Sequence, residues 1–93
     1  RGGYHAAVEA LRTLGPGKMH PLSAVLSAYK SAMGKEAWAE AEKQSGKLSA
    51  DQRALLNVSV VARKSYGEKL IETGWFVRWD GRRKEAGLYP VLK

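Results

Sequence analysis

The segment WFVRW, residues 75–79, followed by DGRR and GLYPVL, limits the fold of this chain more than any other. Trp75, Val77 and Trp79 alternate with Phe76 and Arg78, which is the period of a strand and not of a helix. Asp80-Gly81 is a turn signal, and GLYPVL supplies a returning strand. The chain therefore closes on a β-hairpin that carries Arg82, Arg83 and Lys84 at its tip. Pro90 cannot donate to a ladder, so its position is expected at an edge.

The residues before the hairpin read as helices joined by glycine-bearing turns. Residues 4–14 place Tyr4, Ala7, Val8, Leu11 and Leu14 on one stripe, and GPG at 15–17 stops the helix. Lys18-Met19-His20 is a short extended piece, either a brief strand or the lead into a second helix. Pro21 suits the first turn of that helix, which carries Leu22, Val25, Leu26, Tyr29 and Met33 and ends at Gly34. Residues 35–45 form a mostly solvated helix with Trp38 as its one large anchor, and Gly46 closes it. Ser49 and Gln52 have the spacing of a capping box at the start of a further helix. That helix either runs to Thr73 or breaks near Asn57-Val58-Ser59, where β-branched and capping residues crowd together. A break or bend is the expectation. From Val61 onward Ala62, Tyr66, Leu70 and Thr73 face inward, and Gly74 caps the end.

A chain of 93 residues with 44% apolar content makes one domain with a modest core. Without cysteine it has neither disulfides nor thiolate metal sites. No run of about 18 apolar residues is present, so no membrane association is expected. The start, RGGYH, lacks both an initiator Met and an apolar signal region. The expectation is a domain excised from a longer protein of the cytoplasm (nucleoid-associated) or nucleus, and not a secreted one.

Charge narrows the partner. The formal net charge of +7 is unevenly spread. Residues 1–34 hold four basic side chains against one acidic, residues 35–56 four of each, and residues 57–93 eight against four. Such a field draws polyanions. The outer side of the helix before the hairpin shows Arg63, Lys64, Ser65 and Lys69, and Arg78 lies on the hairpin's second face. Gly67 costs that helix about 1 kcal/mol against Ala and allows close approach.

Three helices under a C-terminal hairpin is the winged-helix arrangement, a variant of helix-turn-helix. SYGEKLIETGWFVRW…AGLYPVL resembles the winged-helix module of phage, plasmid and poxvirus-type primase-helicases, and is similar to the regulatory-factor-X DNA-binding domain. Tyr66-Gly67, Leu70, Gly74-Trp75 and Arg82-Arg83-Lys84 carry the likeness, and LSAVLSAYKSAMG with its Tyr29-Lys30 pair fits the second helix. The match covers roughly residues 20–34 and 57–92, and the departure from it is a helical insertion at 35–56, between the second and third helices. The resemblance implies an α+β winged helix that binds double-stranded DNA within a replication, partition or transcription protein. The third helix would enter the major groove, and the wing would lie on phosphates or in the minor groove. Arg63 and Lys64 are then candidates for base edges or phosphates, Arg82, Arg83 and Lys84 for phosphate or minor-groove contacts, and Lys18 and Lys30 for the flanking backbone.

Each feature also has a plainer reading. A charged tip keeps an edge hairpin from aggregating, and Arg63 and Lys64 suit any polar helix face. Trp75 and Trp79 read as core and wing packing and not as stacking platforms. His5 and His20 are isolated, and no metal or other cofactor is expected. GPGK lacks the spacing of a phosphate loop, and no triad arrangement supports an enzyme. Two other functions compete with DNA binding: protein docking through residues 35–56, and RNA binding.

Overall fold

The computed structural model describes the backbone of residues 2–44, 46–64 and 74–90, with side chains from residue 5 onward. In chain order the elements are α1 (Gly2–Leu14), β1 (Met19–Pro21), α2 (Leu22–Met33), α3 (Lys35–Gln44), α4 (Ala50–Lys64), β2 (Trp75–Asp80) and β3 (Glu85–Pro90). The fold is mainly helical with a small antiparallel sheet, an α+β arrangement.

The helices are held by the apolar stripes that their sequences spell out. Ala7 and Leu11 of α1 are fully buried, with Val8 and Leu14 partly so, while the Tyr4 side chain lies outside the described residues. Val25 and Tyr29 of α2 enter the same core, with Leu22, Leu26 and Met33 at its margin. Ala54, Val58, Val61 and Ala62 bring α4 into it, and Val77, Ala86 and Leu88 close it from the sheet. The small residues Ala6, Ala7 and Ala10 let α1 approach its neighbours closely.

Gly34 makes the joint between α2 and α3. Its φ of 91° allows its N–H to reach the Lys30 carbonyl at 3.0 Å, and its own carbonyl accepts from Trp38 N–H at 3.0 Å. A side chain rarely adopts that backbone angle, so glycine suits this corner. Trp38 packs half-buried against the core margin and fastens α3, whose other described residues are largely exposed.

The capping box is formed in full. Gln52 N–H donates to Ser49 Oγ at 3.1 Å, and Ser49 N–H donates to Gln52 Oε1 at 2.9 Å. Ser49→Ala is expected to cost about 1 kcal/mol, read as a lower urea midpoint. An unchanged midpoint would mean that the start of α4 is held by something other than this box.

The expected break near Asn57-Val58-Ser59 is absent: α4 runs unbroken from Ala50 to Lys64. The polar residues at that point are satisfied without leaving the helix. Asn57 Nδ2 donates to the hydroxyl of buried Tyr29 at 3.1 Å, and Ser59 Oγ donates to the Leu56 carbonyl at 2.9 Å. The block 35–56 is consequently not one inserted unit. Residues 35–44 form α3, and residues 50–56 are the first half of the helix that carries Arg63 and Lys64.

The hairpin belongs to a three-stranded sheet of order β1-β3-β2, with β1 pairing Met19 to Gly87, His20 to Ala86 and Pro21 to Glu85. The extended piece is thus a strand, and Pro21 ends it at the N-cap of α2 and not within the helix's first turn. The strand carrying Pro90 is central, not an edge strand. Pro90 itself pairs only with Trp75, because β1 stops short of it, so its missing N–H is tolerated locally. Val77 faces the core, with Trp75 and Trp79 packed at its margin, as the alternation requires. On the opposite face Phe76 stacks on Tyr89 with ring centroids 5.9 Å apart, and the Arg78 guanidinium lies 5.3 Å from the Tyr89 ring centre. The inward set of Tyr66, Leu70 and Thr73, the Gly67 approach and the helix end assigned to Gly74 fall on or against residues 65–73, outside the described residues.

Candidate nucleic-acid interface

The turn after β2 has an internal scaffold. Asp80 Oδ1 accepts from the backbone N–H groups of Arg82 and Arg83, both at 3.0 Å. Lys84 takes a left-handed φ of 56°, and its carbonyl accepts from Leu22 N–H at 2.9 Å. A carboxylate that binds two successive amides fixes the loop while its side chains point to solvent. Arg82, Arg83 and Lys84 are all exposed on this fixed turn.

Two concavities adjoin along β2. One, of about 520 Å³, is lined by Arg78, Trp79, Asp80, Arg82, Arg83 and Glu85 among others. The second, of about 350 Å³, lies between α4 and β2 and is lined by Ser59, Ala62, Arg63, Arg78 and Trp79. Arg78 and Trp79 border both, so the last turn of α4 and the hairpin tip lie along one side of the molecule. The side chains of Arg63, Arg82 and Arg83 are exposed along this surface, whereas the guanidinium of Arg78 lies over the Tyr89 ring on the outer face of the sheet. None of them is ion-paired among the described residues, whereas Lys30 pairs with Asp51 at 3.6 Å.

The other expected contacts distribute as follows. Lys64 is exposed beside Arg63 in the last described turn of α4. Lys18 is exposed, and its backbone crosses the outer face of the sheet at Gly87. Lys30 is not brought to this surface. Besides its ion pair it sits 5.1 Å from the Trp38 ring centre, in a separate concavity between α2 and α3. Ser65 and Lys69 lie outside the described residues. His20 is buried and its Nε2 lies 2.8 Å from the Gly15 carbonyl, an internal tie between β1 and the end of α1.

Trp79, weighed from the sequence between packing and stacking and read as packing, is packed against the core and also borders both concavities. Among the described residues no helix is long and apolar enough to cross a membrane, and no group of His, Asp or Glu side chains has the proximity needed to hold a metal ion. No protein-family model, no curated protein and no solved structure matches the chain.

Proposed function

We propose that the chain is a winged-helix module that binds duplex DNA, with α4 as its third helix and the β2–β3 turn as its wing. The observation that carries this reading is the shared wall of Arg78 and Trp79, which joins Arg63 on α4 to Arg82 and Arg83 on the turn. The element order and the β1-β3-β2 sheet agree with it. The fixed turn presents its arginines without first having to be ordered, and Arg63 at the end of α4 reaches a base edge or the neighbouring phosphate. Such a domain serves a replication, partition or transcription protein, whose place is with the DNA.

The test is a titration with a random-sequence duplex, followed by amide chemical shifts and repeated at increasing salt. Shifts centred on Arg63 and residues 78–84 are expected. If about four phosphates are neutralised, affinity falls roughly a hundredfold between 50 and 200 mM salt. Shifts centred on residues 35–48 would overturn the reading. They would favour protein docking, for which the concavity of about 420 Å³ that includes Lys30, Lys35 and Trp38 is the natural surface. Stronger competition by a matched RNA duplex would transfer the same surface to RNA.

A further inference from the structure

The concavity between α4 and β2 differs from its neighbour at the turn, which includes Asp80 and Glu85 among its walls. Among the described residues the charged ones that line it are Arg63 and Arg78, and none is a carboxylate. Both arginines are exposed, and Trp79 is half-buried, its indole packed on the core margin and still bordering this space. The Arg78 guanidinium is turned away over Tyr89, so the indole of Trp79 and the guanidinium of Arg63 are the groups that suit a ligand joining a π-face to an anion. The volume of about 350 Å³ sits at the low end of the roughly 300–1,000 Å³ of small-molecule sites. That is room for one nucleotide and not for a strand. A base inside a duplex has both faces covered by its neighbours, so a base that reaches this indole must be unpaired. The Ser59 hydroxyl already donates to the Leu56 carbonyl, so it offers this space an acceptor only.

We infer that this concavity holds one unpaired nucleotide, its base against Trp79 and its phosphate beside Arg63. The inference rests on the duplex reading above and narrows its substrate to duplexes with an unpaired end, because the nucleotide lies directly beside the turn that takes the duplex. Base identity matters little at this position, since stacking is tolerant of sequence.

The experiment compares blunt duplexes with duplexes bearing a short single-stranded overhang, at one salt concentration, with a fluorescent purine analogue in the overhang. The wild-type protein is expected to bind the overhang duplex about tenfold tighter than the blunt one, and the analogue's emission to change as binding saturates. Trp79→Leu brings the ratio of the two affinities to about one by removing the stacking surface. Arg63→Ala, at an exposed position that leaves the core intact, lowers the same ratio should the Trp79 variant fold poorly. Equal wild-type affinity for both duplexes, with unchanged emission, overturns this inference and leaves duplex binding standing. Binding to neither duplex overturns both.

Discussion

Replacing Arg82 and Arg83 together by alanine is expected to weaken duplex binding roughly fiftyfold at 0.1 M salt. The size follows from counterion release: each phosphate neutralised adds about 0.9 to the slope of log affinity against log salt, so two lost contacts cost most where salt is low. The slope itself should fall by about two, and the loss should be similar for every duplex sequence, since phosphates carry no sequence information. The scaffold of the turn survives the change, because Asp80 holds the backbone amides of residues 82 and 83 and not their side chains. Loss of affinity therefore reports contact and not unfolding. Unaltered binding and an unaltered salt slope would remove the turn from the interface.

Gly87→Val is expected to destabilise the domain by about 3 kcal/mol, with Gly87→Ala somewhat less severe. Gly87 lies in the central strand, and a Cβ there would come within 2.5 Å of the Lys18 carbonyl oxygen, 3.1 Å of its carbonyl carbon and 3.0 Å of Met19 Sδ. Two of those three neighbours are backbone and cannot rotate away, so β1 must be displaced from β3. A domain of this size has about 5–15 kcal/mol in all. The Tm should fall by roughly 10–20 °C for such a loss. Gly46→Ala is the control, since a Cβ there meets nothing within 4 Å. Equal melting temperatures for the Gly87 and Gly46 variants would refute the close approach of β1 to β3.

Where the sequence is legible, periodicity carries the information. The apolar stripes of α1 and α2, the glycine at their joints, the capping box at Ser49 and the alternation of residues 75–79 each correspond to what the chain adopts. The differences arise where a distant partner decides the outcome. Local chemistry marks Asn57 as a helix breaker, whereas its amide is engaged by Tyr29 of α2. Residues 19–21 are too few to show alternation, so neither their pairing with β3 nor the central position of β3 is visible in them. At the surface, the run Arg82-Arg83-Lys84 is contiguous and easily seen. That Arg63 and Trp79 line one concavity depends on how α4 packs on β2, and chain order does not encode that by itself.

The bond from Leu22 N–H to the Lys84 carbonyl ties the opening amide of α2 to the end of the β2–β3 turn. A partner that bends this turn must strain or break that bond, so load on the turn is passed to a core helix. Grip at the tip and firmness of the body are in this way coupled, and a tightly held ligand would stiffen the domain from its edge inward.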